Sequence, residues 1–150
     1  MSIHMLIVGC GKQKLDHEAP AKDMYTSTFF QAKRAFAEQG GCPWMIASAK
    51  YGLLAPDSSI EPYECSLAGA GPEYQDLWVR LVTTQWQQRF GEVEPDVVEF
   101  HAGSFYRDCL CDAITAASAC PDFTAPMAGM GIGEQKRWYR MNTKHQEPTP

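Results

Sequence analysis

The stretch His4-Met5-Leu6-Ile7-Val8-Gly9-Cys10-Gly11 decides the fold. An apolar run without polar alternation, stopped by glycines, marks a strand buried on both faces, as in a parallel sheet. Downstream, Pro43-Trp44-Met45-Ile46-Ala47-Ser48 and Asp96-Val97-Val98-Glu99-Phe100-His101 read as two further strands, the second breaking at Ala102-Gly103. Phe123 to Met127 predicts a last short strand. Helices are expected between them. Thr26 or Ser27 caps one that runs to Gln39, with Phe29, Ala32 and Phe36 on one face and Gly40-Gly41 ending it. Tyr74, Leu77, Trp78, Leu81, Val82, Trp86 and Phe90 recur at three- and four-residue steps and predict a broad apolar helix face. A third helix is expected from Ser104 to about Ala119, and a terminal one carrying Gln135, Trp138 and Tyr139. Lys50 to Pro72, punctuated by Pro56, Pro62, Gly69 and Gly71, reads as mostly irregular. This alternation implies a three-layer α/β fold, a mostly parallel sheet with helices on both faces. No repeat or linker divides residues 1–143, so one domain is expected, followed by a disordered tail over 144–150.

Composition narrows the function classes. The 150 residues are 45% hydrophobic and 21% charged, which is globular rather than disordered composition. Thirteen Lys and Arg against eighteen Asp and Glu give a net charge of -5. That disfavours a surface gripping duplex phosphates everywhere, and leaves room for a local basic pocket. No apolar stretch approaches the roughly 20 residues of a membrane span, and no secretory leader is evident. Cysteines occur at positions 10, 42, 65, 109, 111 and 120 without a C-x-x-C, and are read as reduced thiols in the cytoplasm. Cys109 and Cys111 have the wrong spacing for zinc. Neither metal nor cofactor is expected.

Ligands of open α/β sheets sit beyond the carboxyl ends of the strands. Four segments there carry polar chemistry: Gly9 to Lys14, Ser48 to Gly52, His101 to Tyr106, and Gly129 to Gln135. In the first, glycines let backbone N–H groups approach an anion, and Lys12 and Lys14 offer charge. Cys10 beside them is a possible nucleophile or an inert strand-end thiol. Ser48, Lys50 and Tyr51 project polar groups from the second loop. Glu61, stiffened by Pro62, could act as general acid or base or bind a sugar hydroxyl. Gly103 permits close approach at a helix start, and Tyr106 could stack on a ring or donate a hydrogen bond. His101 could relay a proton or be structural. Gln135, after alternating glycines, could read a base edge. Arg34, Arg80, Arg89 and Lys33 read as solvated helix faces.

The series C-G-K-x-K from Cys10, A-K-D-x-Y from Ala21, S-A-K-Y-G-L-L-x-P-D from Ser48, E-P-Y from Glu61, A-G-x-x-Y-R from Ala102 and G-I-G-E-Q from Gly131 resembles a family of small bacterial and phage proteins known only as a domain of unknown function. The resemblance runs from Gly9 to about Trp138. It singles out Cys10, Lys12, Lys14, Lys22, Asp23, Tyr25, Ser48, Lys50, Tyr51, Gly52, Glu61, Tyr63, Gly103, Tyr106, Gly133 and Gln135 as motif positions. More distantly, Cys10 with Lys14 is similar to the opening motif of archaeosine synthase domains, and the Ser48 segment to YaaA-type proteins. Such relatives imply work on nucleobases, nucleotides or damaged nucleic acid.

The expected function is therefore an enzyme acting on a nucleotide or modified nucleobase, by glycosidic cleavage or by base or group transfer. Lys12, Lys14 and Lys50 would hold the anion, with Tyr25, Ser48, Tyr51, Tyr63, Gly103, Tyr106 and Gln135 around the substrate. Glu61 or Cys10 would supply the chemical step. The rival expectation is a non-catalytic module that binds a nucleotide or a nucleic-acid end, for which stacking and charge suffice.

Overall fold

The computed structural model describes residues 4–118 and 121–143. The apolar run His4–Gly9 forms β1, the centre of the molecule, with Ile7 and Val8 wholly buried. It pairs in parallel with β3 (Trp44–Ser48) on one side and with β6 (Val97–His101) on the other. Strand β6 pairs in parallel with β7 (Asp122–Thr124), and β4 (Gly52–Leu54) closes the opposite edge antiparallel to β3. The sheet order is β4-β3-β1-β6-β7. Continuous apolar strands thus give the mixed, mostly parallel sheet expected of a three-layer α/β fold. The predicted tail, the end of the third helix at Ala119, and Cys120 lie outside the described residues.

Helix α2 (Thr28–Gln39) starts where Ser27 accepts a hydrogen bond from the Phe30 N–H, the capping role its hydroxyl suits. It packs on β1 and on α5 (Ile132–Asn142), while α3 (Pro72–Phe90) packs along α4 (Ser104–Ala117). Chain leaving β1 turns toward β3 through α2, and chain leaving β6 turns the other way through α4. The carboxyl ends of β1 and β6 therefore flank the switch point of the sheet, where such folds open a crevice.

Three readings are corrected. The fully buried residues of α2 are Phe30, Lys33 and Ala37, flanked by the half-buried Phe29, Ala32 and Phe36, so Lys33 belongs to the interior rather than to a solvated face. On α3 only Trp78, Val82 and Trp86 are buried; Leu77 and Leu81, which the periodicity places on the same apolar face, are 62% and 39% exposed. The segment read as mostly irregular, Lys50 to Pro72, contains β4 and β5 (Ser59–Ile60); β5 pairs with β2 (Ala19–Pro20), and the short α1 (Ala21–Met24) packs beside them. No helix among the described residues is long and apolar enough to cross a membrane.

Candidate functional site

The Cys10 N–H donates to the Ala47 carbonyl at 3.0 Å, carrying the β1–β3 pairing one residue past the strand and fixing the thiol at the sheet's edge. There it enters a cleft of about 490 Å³ lined by Gly11, Lys12, Lys14, Glu64, Cys65, Ser66 and Tyr106 as well. That volume lies in the range of small-molecule sites. A second lobe of about 440 Å³ shares Lys12, Lys14 and Glu64 and adds Tyr63, Pro62 and Asp16. The cleft opens at the β1/β6 switch point, with the first turn of α4 supplying Tyr106. Gly103 occupies the cap position of α4 with no side chain over it.

Around Cys10 the structure gathers phenols. The Tyr106 hydroxyl lies 3.4 Å from Sγ, in hydrogen-bond contact. Burial, reinforced by the nearby Cys10 thiol, pushes the Tyr106 phenol well above its usual range. Tyr63 is pushed up for the same reasons, and Tyr25 up to about 12. These rings stay protonated and act as donors. Behind the cleft the backbone N–H groups of Lys50 and Tyr51 donate to Ser48 Oγ, at 3.2 and 3.0 Å. Ser48 in turn donates to the Tyr63 hydroxyl at 2.8 Å, which meets that of Tyr25 at 2.7 Å. Lys14 holds its ammonium 4.5 Å over the Tyr63 ring and donates to the Lys12 carbonyl.

The expected residues divide accordingly. Cys10, Lys12, Lys14 and Tyr106 line the main cleft, Tyr63 lines its second lobe, and Tyr25 and Ser48 form the hydroxyl network supporting that ring. Tyr51 packs edge-on against Tyr63, with the exposed Lys50 ammonium 5.2 Å from its ring. Glu61 is exposed and takes part through its carbonyl, which accepts from Tyr51. Gln135 donates to the Met130 carbonyl and so braces its own loop. His101 is 1% exposed and faces α5: its Nε2 bonds Glu99 at 2.6 Å and its Nδ1 the Tyr139 hydroxyl at 2.7 Å. That is the structural alternative.

Sequence reasoning missed three residues of the cleft, and the burial of Lys33 elsewhere on α2. Glu64, Cys65 and Ser66 reach the cleft from an irregular segment, where Cys65 Sγ contacts the Tyr74 hydroxyl at 3.5 Å. No periodicity signals such a position. Lys33 was detectable as a cation interrupting the spacing of Phe30 and Ala37. It is 8% exposed, its ammonium 4.2 Å from the Phe29 ring, and burial lowers it to about 8.

Comparison with known proteins adds a family. A model described as a family of unknown function, DUF6884, matches residues 5–141. The chain belongs to that family. It is also 34% identical over 76 residues to the uncharacterized protein YfjM of Bacillus subtilis (strain 168), a match covering 46% of this chain and 51% of that protein. The chain thus matches about half the length of this curated relative. The family match takes in β1 and nearly all of α5, and so the whole setting of the cleft.

Proposed function

We propose that the chain is an enzyme acting on a nucleotide or modified nucleobase, cleaving a glycosidic bond or transferring a base or group in the cleft between β1 and β6. The observation that carries this reading is the convergence, at the sheet's switch point, of two thiols, two lysines, a carboxylate and a phenol around one concavity. Lys12 and Lys14 meet the anionic part of the substrate, and Tyr106 and Tyr63 offer aromatic walls for a base. Cys10 supplies the nucleophile. Acid–base work falls to the Glu61–Glu64 segment, whose Glu64 lines both lobes. The resemblance of the Cys10 and Ser48 motifs to archaeosine synthase and YaaA-type proteins supports the substrate class.

The exposure of Glu61 outside the cleft favours one second reading, a module that binds the same ligand without turnover. A thermal-shift screen with phosphate, nucleotides, free bases and short oligonucleotides, followed by chromatography of the stabilising ligand, tests both. One nucleotide class should raise the melting temperature and be converted, with Glu64→Gln slowing conversion while binding persists. Stabilisation without product selects the binding module. No stabilisation by any of them overturns the nucleotide reading.

A further inference from the structure

The two lobes of the cleft meet at one junction, where Lys12, Lys14 and Glu64 line both. The backbone there is fixed. The Gln13 carbonyl accepts from the Thr26 N–H at 3.0 Å and the Leu15 N–H donates to the Met24 carbonyl at 2.9 Å, so the segment bearing both lysines is pinned to the chain around Tyr25. The Lys14 ammonium is held in turn by the Lys12 carbonyl at 3.1 Å and by the Tyr63 ring at 4.5 Å. Two lysines against one carboxylate leave a single positive charge at the junction. A phosphodiester carries one negative charge, whereas a terminal phosphate carries close to two at pH 7.

Each lobe, at about 490 and 440 Å³, is by itself large enough for one small molecule. A mononucleotide seated in either leaves the other empty. The main lobe offers Cys10, Ser66 and Tyr106; the second offers the apolar Leu15 and Pro62 with the Asp16 carboxylate, which the His17 ring meets at 2.9 Å. A carboxylate accepts from sugar hydroxyls and base amino groups, so the second lobe suits a nucleoside as the first does. We propose that the ligand is two nucleoside units joined by a phosphodiester, the bridging phosphate on Lys12 and Lys14 and one nucleoside in each lobe. This rests on the nucleotide reading of the cleft and names its substrate class. The unit beside Cys10 and Tyr106 is the one presented for chemistry; the unit against Leu15 and Pro62 contributes affinity and register.

Titration calorimetry on the full chain tests this with ApA, CpC, GpG and UpU, their deoxy counterparts and the matching 5′-mononucleotides. At least one joined pair should bind with a stoichiometry of one and at least about tenfold more tightly than its mononucleotide. That comparison needs no variant. Ser66→Trp in the main lobe and Asp16→Trp in the second should each weaken the pair about tenfold, since both units must be seated. Equal affinity for pair and mononucleotide, two mononucleotides bound at once, or a folded blocking variant with unchanged affinity overturns the joined ligand and leaves nucleotide binding standing. Silence from every nucleotide sinks both together. Hexanucleotides then distinguish the source: a further gain over the dinucleotide points to a strand end, and equal affinity to a free dinucleotide.

Discussion

Ser48 accepts two backbone N–H groups on its oxygen, so its own proton goes to Tyr63, and the Tyr63 hydroxyl joins that of Tyr25. Replacing Tyr63 by Phe strands a buried donor and a buried hydroxyl together. Tyr63→Phe should lower unfolding free energy by about 1–3 kcal/mol in urea titrations, and an unchanged midpoint would show that the network contributes nothing. Lys33 behaves oppositely. Burial lowers its folded-state value to about 8 from an ordinary 10.5, so between those limits the unfolded chain binds more protons than the folded one. Wild-type stability should accordingly gain from this group as pH rises from 8 to 10.5. Lys33→Met should be the more stable protein at pH 7, by as much as roughly 3 kcal/mol, with the difference shrinking through that window. A Lys33→Met that is less stable at pH 7 would refute the buried-charge cost. On the proposed nucleotide reading, a ligand at one hundred times its dissociation constant should stabilise wild type by about 2.7 kcal/mol and Lys12→Ala should lose that gain, while an equal gain in both would remove Lys12 from the site.

Among the elements, the edge strand β4 depends on one glycine and one glutamine. Gly52 has φ +74°, and a Cβ there would run into the Gln85 amide. That amide clamps the strand to α3, accepting from the Leu53 N–H at 2.8 Å and donating to the Tyr51 carbonyl at 2.9 Å. Gly52→Ala should cost about 1–3 kcal/mol by thermal or urea unfolding, and a loss below half of that would show the clamp yields freely. The same region shows where a sequence stops informing. Strand β1 was legible because an unbroken apolar run ended by glycine has one economical reading, and Cys10, Lys12, Lys14 and Tyr106 followed from knowing where strand ends lie. Strands β2, β4 and β5 were not, since pairings of two or three residues are too short to show a period. For α2 and α3, spacing gave an apolar face but not its rotation or width, which the neighbouring layer decides: hence the buried Lys33 and the exposed Leu77. Cys65 is held at the cleft by the Tyr74 hydroxyl of α3, a tertiary contact that leaves no local trace, and Glu64 lines the cleft beside it.

Across the whole molecule, the layer facing α2 and α5 contains a carboxylate–imidazole–phenol chain, Glu99–His101–Tyr139, with His4 3.2 Å from the same carboxylate. The His101 hydrogen bond above all, and the nearby imidazoles, hold Glu99 below its ordinary range against the opposing effect of burial. A carboxyl depressed on folding contributes stability above its unfolded value, and that contribution is lost as pH falls through the folded one. Melting temperature should therefore drop on acidification below about 4.5, and drop less steeply in Glu99→Gln. Parallel acid profiles would remove Glu99 from the account. The sheet order has a consequence of another kind, for synthesis. Strand β1 leaves the ribosome well before its partner β6, which begins at Val97, more than ninety residues after His4. At about 5–20 residues per second, the central strand waits some 5–20 seconds with one side unpaired. During that interval its apolar residues are exposed to aggregation, so nascent-chain yield should depend on early pairing with β3 far more than on anything in the cleft.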